Sequence, residues 1–355
     1  MEDNMVKLAI LGTGIISECH FFALDHIKDV KVTAIASIDE KSGKAACEKF
    51  GAKYYNDYKN LLSNEKDFDG IVIALPNHMH YEACTAAIDA GVKSILCEKP
   101  LGINSEQSAC IVEKARKAGI FFQTAYMKRF NPGFRKIKDA LEEIGEIEFV
   151  TSSIYASSPE PSISSKTPVK SWHGDSKLSG GGFLTHSGSH HLDLLRHLFG
   201  DIKSVSCKCR YDSGDGRDYY LNGKLFMKSG IEIDMRLGRV DIPNLGPGFT
   251  LFRGGWNETI EVIAHRGYIK VENPSWQGYE AMKVTHWFKG MPGPTETYYE
   301  CNEQWINEFA AYVESCKTHI LSPSGSSAED GYRVDFIIEK MRESGRKNGE
   351  IVEID

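Results

Sequence analysis

The chain has 355 residues, more than the roughly 250–300 that one hydrophobic core usually serves, so two domains are expected. Hydrophobic residues make up 41% and charged residues 26%, a balance that excludes a disordered or fibrous chain. A formal net charge of −7 gives no electrostatic reason to expect nucleic acid or an anionic membrane surface as a partner. The nine cysteines are odd in number and scattered, with no CxxC and no Cys/His cluster. Only Cys207 and Cys209 lie close, at the spacing of neighbours on one face of a strand. Reduced thiols in a cytoplasmic protein fit this pattern. The N-terminal Met1-Glu2-Asp3-Asn4-Met5 is acidic and leads into only a short apolar run, unlike a secretory signal. No apolar stretch approaches the ~20 residues of a membrane span. The expectation is a soluble, intracellular, two-domain protein.

The first part of the chain alternates strand-like and helix-like segments. Residues 6–11, 30–37, 71–75, 94–97 and 121–126 read as short buried strands. Residues 15–24, 43–50, 81–90 and 105–118 carry helical spacing between them. Strict alternation with short connections predicts a parallel, doubly wound sheet, so the fold class is α/β. Ligands of such sheets bind at the carboxyl ends of the strands. Beyond residue 126 the period changes to two. Leu225 and Met227, then Ile231, Ile233, Met235 and Leu237, flank a turn at Lys228-Ser229-Gly230. A second hairpin is expected over 260–271, turned at His265-Arg266-Gly267. This is the pattern of an open, largely antiparallel sheet. Amphipathic helices near 305–315 and 328–342 close the chain, and the Ser/Gly-rich 322–327 reads as an ordinary loop. Residues 1–126 and 127–355 are the expected domains.

The segment Gly12-Thr13-Gly14-Ile15-Ile16-Ser17 directly follows the first strand and opens a helix. Gly12 permits a tight turn, and Gly14 leaves the helix N-terminal amides open to a pyrophosphate. A Gly-x-Gly pattern alone fits any strand–helix turn; the flanking strand and helix favour a dinucleotide. Ser17 stands where the usual pattern has Gly or Ala. At the end of the second strand Ser37 occupies the place of the acid that holds the ribose of NAD, with Asp39 two residues on. A small hydroxyl leaves room for the 2′-phosphate of NADP, whereas Asp39 and Glu40 would repel it. NAD and NADP both stay open. The fifth strand ends in Glu98-Lys99-Pro100. A lysine there, pinned by a proline, is expected to point into the cofactor crevice; the competing reading is a surface lysine before a helix.

With Gly12–Ile16, Ala74-Leu75-Pro76-Asn77-His78-Met79-His80, Glu98-Lys99-Pro100, and Gly180-Gly181-Gly182 through Asp193, the sequence resembles the Gfo/Idh/MocA oxidoreductases, the relatives of glucose–fructose oxidoreductase and inositol dehydrogenase. The blocks occur in the family's order and spacing over nearly the whole chain. The resemblance implies an N-terminal Rossmann domain and a C-terminal α/β domain with a large, mostly antiparallel open sheet. That sheet often serves oligomerisation, so a homodimer or homotetramer is expected. It implies that Gly12, Thr13, Gly14, Ile15, Ile16, Ser37 and Glu98 belong to the cofactor site, and that Lys99 touches both the nicotinamide ribose and the substrate hydroxyl. Leu75, Pro76, Asn77 and His80 match the block along the adenosine and ribose side, and Tyr126 and Arg129 match a strand end near nicotinamide and substrate.

The segment 180–193 holds three glycines, which let backbone approach a ligand closely, followed by His186, His190 and Asp193. If helical, these three share a face. A histidine titrating near neutrality suits the proton transfer that accompanies hydride transfer. A metal reading would use the same three residues, yet no HExxH glutamate follows His186 and no other ligand set is evident, so none is expected. A structural reading has the histidines capping and packing the helix. The resemblance makes His190 the acid/base, with His186 standing where the family usually has an aspartate that orients it. A neutral imidazole cannot stabilise a developing imidazolium as a carboxylate does, so His186 tunes the base differently or shares its role. Asp193 supports the site by hydrogen bonding. Trp172, before the glycine run, either stacks on a sugar ring or packs under its own loop. The expected activity is NAD(P)-dependent oxidoreduction of a hydroxyl or keto group of a sugar, inositol or related polyol. A dinucleotide-binding sensor without turnover and an NAD-dependent glycoside hydrolase are the alternatives.

Overall fold

The computed structural model describes residues 5–156, 172–214, 216–239, 256–276, 280–300 and 302–354. The chain forms two compact units: Met1–Met127 with Trp305–Asp335, and Lys128–Gln304 with Phe336–Asp355. The first change of unit falls after Met127. Residues 305–335 return to the first unit, a feature that no single boundary in the sequence expresses.

In the first unit the elements run β1 (Val6–Leu11), α1 (Ile15–Asp25), β2 (Val30–Ala36), α2 (Glu40–Phe50), β3 (Lys53–Tyr55), α3 (Tyr58–Asn64), β4 (Gly70–Ile73), α4 (Asn77–Asp89), β5 (Ser94–Glu98), α5 (Ser105–Ala118) and β6 (Phe121–Ala125). The six strands are parallel in the order β3-β2-β1-β4-β5-β6. The order reverses between β1 and β4, the place where such sheets bind ligands. Both faces of β4 and β5 are covered, so every residue of these strands is buried rather than every second one. Asp39 and Asn104 cap α2 and α5 through their side chains, and Gly51 and Gly119 end those helices in the left-handed conformation. β3 and α3 escape the sequence reading, because Lys53-Tyr54-Tyr55 is too short and too polar to show a period.

The second unit holds α6 (Pro132–Leu141), β7 (Ile147–Ala156), α7 (Ser176–Ser179), α8 (Ser189–Phe199), β8 (Ile202–Tyr211), β9 (Asp218–Met227), β10 (Glu232–Arg239), β11 (Trp256–Ala264), β12 (Gly267–Asn273), β13 (Met282–Phe288) and β14 (Thr295–Tyr299). The chain closes with α9 (Glu303–Thr318), α10 (Ala328–Arg346) and β15 (Val352–Glu353). Nine strands form one sheet in the order β14-β13-β12-β11-β7-β10-β9-β8-β15. Every pairing is antiparallel except β7 with β10. Along β10 every second residue from Ile233 to Leu237 is buried and those between are exposed, the sign of a sheet covered on one face. The two hairpins fold where the sequence puts them, with Ala264 opposite Gly267 across His265-Arg266.

Two apolar layers sandwich the first sheet. One joins Ala9, Leu11, Ile71, Ile73 and Ile95 to α4 and α5 through Ala83, Ala87 and Ile111. The other joins Leu8, Ile10, Val72 and Leu96 to α1 and α2, and to Trp305, Phe309, Tyr312 and Val313 of α9. The Tyr312 hydroxyl lies 2.9 Å from the carbonyl of Ile71 and 3.0 Å from that of Ser94, which ties α9 to two neighbouring strands. This is why the chain's late segment counts with its beginning. Eight cysteines are free thiols, and Cys301 lies outside the described residues. Among the described residues no helix is long and apolar enough to cross a membrane.

Candidate active site

The turn after β1 is shaped by what surrounds it. Gly12 has φ +106°, and a Cβ there would run into the carbonyl of Ala74 beyond β4. Only glycine serves at that position. Gly14 is different: it is exposed, and a Cβ would meet nothing within 4 Å. It is the N-cap of α1 and supplies no side-chain cap, so the Ile15 and Ile16 amides are left for an outside acceptor, while the Ser17 amide turns back to the Gly14 carbonyl at 2.9 Å. Ser17, the departure from the usual glycine, is fully buried and its hydroxyl donates to the Gly12 carbonyl at 3.0 Å. A serine here closes the turn that a smaller residue would merely permit. These features fit a pyrophosphate at the head of α1.

At the end of β2, the Thr13 hydroxyl lies 2.6 Å from the Ser37 hydroxyl and 2.7 Å from that of Ser42. Asp39 spends one carboxylate oxygen on the amides of Lys41 and Ser42, at 3.0 and 3.3 Å. The nearest acid therefore serves as a helix cap, and the strand end offers hydroxyls.

Beyond β4 and β5, His80 is fully buried, with Nδ1 2.7 Å from the Pro100 carbonyl and Nε2 2.8 Å from that of Leu75. Burial pushes its pKa down, against the two carbonyls that push it up, and the ring lies between the two strand-end loops. Asn77 is buried at the start of α4, and Leu75 and Pro76 are half-buried beside it. Glu98 is buried and Lys99 half-buried, with a cis Lys99–Pro100 peptide. The Glu98 carboxylate receives His20 Nε2 at 2.9 Å through one oxygen and the Lys99 amide at 3.1 Å through the other. Tyr126 is buried one residue past β6.

In the second unit, a 3₁₀ turn over Met127–Phe130 carries Lys128 and Arg129. Both are buried and both are paired. Arg129 donates through Nε and Nη2 to the two oxygens of Asp193 at 2.7 and 2.6 Å. Lys128 donates to Glu258 of β11, which also receives His191 Nδ1 at 2.9 Å and Asn273 Nδ2 at 3.1 Å. His191 Nε2 pairs with the Ser152 hydroxyl of β7. Burial works to raise the Glu258 carboxyl, but Lys128 and His191 outweigh it and hold the group at about 2. Burial pushes His191 down. Two charge-assisted clamps thus fix α8 against the 3₁₀ turn and the sheet. Sequence reasoning found Arg129 and Asp193 but did not join them, and it missed Lys128, His191 and Glu258. The only signal would have been charged residues at positions where the pattern demands burial.

The histidine segment is not a plain helix. Leu184–Gly188 is π-helical and the α-helix starts at Ser189. Such π-turns cluster at functional sites. His186 and His190 are half-buried, whereas Asp193 is fully buried with Arg129. The three expected to share a face divide between a partly open side and the interior. The His186 ring lies 6.2 Å from Trp172 and 5.7 Å from His173, and Trp172 stacks on His173 at 3.6 Å. Trp172 thus stands beside the π-turn that carries His186. The glycine run corrects an expectation. A Cβ on Gly181 would collide with the Arg342 guanidinium, and one on Gly182 with the backbone of Asp218. Arg342 donates to Asp218 at 2.8 and 3.0 Å, to the Gly180 carbonyl at 2.9 Å and to Thr185 Oγ1 at 2.7 Å. Asp218 in turn accepts the amides of Gly182 at 3.3 Å and Leu184 at 2.6 Å. Gly181 and Gly182 make room for the chain's own Arg342–Asp218 pair.

A six-stranded parallel sheet with a glycine turn at its switch point, joined in one chain to a unit built on an open sheet, defines a dinucleotide-binding fold. A family model described as "Oxidoreductase family, NAD-binding Rossmann fold" matches residues 6–126, and one described as "GFO/IDH/MocA C-terminal domain" matches residues 134–270. The chain belongs to the Gfo/Idh/MocA oxidoreductase family. Inositol 2-dehydrogenase of Salmonella paratyphi B is 32% identical over 169 residues, 46% of this chain and 49% of that protein. The match thus spans about half the length of that relative. Inositol 2-dehydrogenase 2 of Saccharopolyspora erythraea is 24% identical over 341 residues, 92% of this chain and 89% of that protein. Levoglucosan dehydrogenase, solved in complex with NADH and L-sorbose, has a TM-score of 0.82 at 20% identity over 99% of both chains, a likeness of fold.

Proposed function

We propose that the chain is an NAD(P)-dependent dehydrogenase or reductase acting on a hydroxyl or keto group of an inositol, sugar or related polyol. One observation carries the reading: the uncapped turn at Gly14 and the Glu98-Lys99-Pro100 strand end lie on the same sheet, at its switch point and at the carboxyl end of β5. A bound nicotinamide dinucleotide would supply the hydride acceptor or donor. The amides at the head of α1 would hold its pyrophosphate, and the Thr13–Ser37 hydroxyls would meet the ribose, with Leu75, Pro76, Asn77, Glu98 and Tyr126 along the same side. Lys99 polarises the substrate oxygen. In the oxidative direction His190 takes the hydroxyl proton. His186 sits one π-turn earlier, against Trp172 and His173, and shares or tunes that proton. Trp172 offers a face for a sugar ring, and the Arg129–Asp193 pair holds the helix that carries His190. The names of the relatives above support a polyol substrate.

Eight free thiols support a reducing, cytoplasmic location. A homodimer or homotetramer through the open sheet is supported by Phe149 and Ile263, cross-strand neighbours that are 62% and 43% exposed.

The test is turnover on a panel of inositols, aldoses and anhydrosugars with NAD⁺ and with NADP⁺, read as reduced nicotinamide. At least one polyol should be oxidised, and Lys99→Met and His190→Asn should each lower kcat by about 100-fold or more. Unchanged turnover in both variants, or dinucleotide binding without turnover on any polyol, would sink the assignment.

A further inference from the structure

His20 lies on the second turn of α1, three residues beyond Ser17, whose hydroxyl closes the phosphate turn, and it is fully buried. Its ring packs 4.8 Å from Phe309 and 6.3 Å from Trp305, so no solvent shares its environment. Nδ1 is buried without a hydrogen-bond partner. A proton there would be an unsatisfied buried donor, costing about 1–3 kcal/mol, so the proton belongs on Nε2. Nε2–H then donates to Glu98 Oε1 at 2.9 Å. The other oxygen of the same carboxylate accepts the Lys99 amide at 3.1 Å. One buried carboxylate is thereby held between the dinucleotide helix and the backbone of the lysine at the end of β5.

We infer that His20 is a positioning residue for Lys99, acting through Glu98. Without the imidazole donor the carboxylate keeps only the amide one residue ahead of it, which does not fix its rotamer, although His80 still holds the Pro100 carbonyl. With the donor, the carboxylate cannot rotate without leaving a buried N–H unpaired, so residues 98–100 keep one conformation. The link also joins α1, whose first turn faces the dinucleotide, to the residue that acts on the substrate. This inference rests on the reading of Lys99 as the group that polarises the substrate oxygen.

His20→Leu removes the donor at similar volume, and His20→Gln returns an N–H near the position of Nε2. Amide hydrogen exchange of the purified protein should speed up about 10-fold or more at Lys99 in His20→Leu, and return toward wild type in His20→Gln. In turnover of the polyol that the wild type oxidises fastest, His20→Leu should lower kcat by about 10–100-fold. Its KM for the dinucleotide should change by less than about 3-fold, because the phosphate turn is untouched, and His20→Gln should restore kcat. Wild-type exchange at Lys99 in a folded His20→Leu overturns the inference, and so does equal loss of kcat and dinucleotide affinity that His20→Gln does not rescue. Lys99→Met, measured alongside, separates the two readings. If it turns over normally, the role of Lys99 fails, while the exchange data still decide whether His20 orders residues 98–100.

Discussion

Gly12–Gly14 and Gly180–Gly182 look alike in sequence: each is a glycine-rich turn that leads into a helix bearing residues of interest. Their surroundings are opposite. At Gly14 an added side chain would enter open space in front of uncapped amides. At Gly181 and Gly182 it would enter Arg342 and the backbone of Asp218. The first turn keeps room for something outside the chain, and the second keeps room for a buried ion pair of its own. Missing side chains show that backbone must come close to something; only the fold shows to what.

The largest effect should come from emptying the second turn. Arg342→Leu leaves Asp218 buried without its cation and should cost about 3–5 kcal/mol in urea unfolding. Dinucleotide affinity of the remaining folded protein should stay within about 2-fold, and a parallel loss of affinity would blur the contrast between the turns. Next in size is acid. Glu258 keeps its charge in the folded state down to about 2, against an ordinary value of 4.5. The stability it confers is complete above about pH 4.5 and is lost as pH falls toward 2, roughly 3 kcal/mol in all. His191, whose pKa burial pushes below its ordinary 6.5, adds a decline that starts there, where the unfolded chain takes up a proton first. Unfolding free energy measured from pH 7 to 3 should fall in both windows, and Glu258→Gln should flatten the lower one. Gly182→Ala should cost about 1–3 kcal/mol, since the opposing atoms are backbone and cannot turn aside. Asp39→Ala should cost about 1 kcal/mol by uncapping α2, visible as a small drop in melting temperature.

What the sequence disclosed follows the range of the interactions. The alternation of β1, β2, β4, β5 and β6 with α1, α2, α4 and α5, and both hairpins, rest on local periods and turn residues, and they stand in the structure near the expected bounds. Lys99 at the end of β5 was visible because a motif and a strand end coincide. The pairs that hold the site were not. Lys128 and Glu258 are 130 residues apart, Arg342 and Asp218 are 124, and His20 and Glu98 are 78. No local pattern links such partners. A lysine, an arginine and a histidine that the fold buries look in the sequence like ordinary surface or helix residues. The π-turn at Leu184–Gly188 was hidden for a related reason, since its extra residue leaves the apolar period of α8 intact.

The most direct test of the account is the melting temperature of wild type and Gly14→Asp, each with and without saturating NADH or NADPH. Aspartate is a favoured N-cap and meets no neighbour at this position, so the variant should fold at wild-type stability or slightly above it. A dinucleotide at about 100 times its Kd adds roughly 2.7 kcal/mol to a binding protein, a shift of several degrees. The wild type should show that shift with at least one dinucleotide, and Gly14→Asp should lose it, because a carboxylate occupies the pyrophosphate's place. A full shift in the variant, or none in the wild type with either dinucleotide, would contradict this.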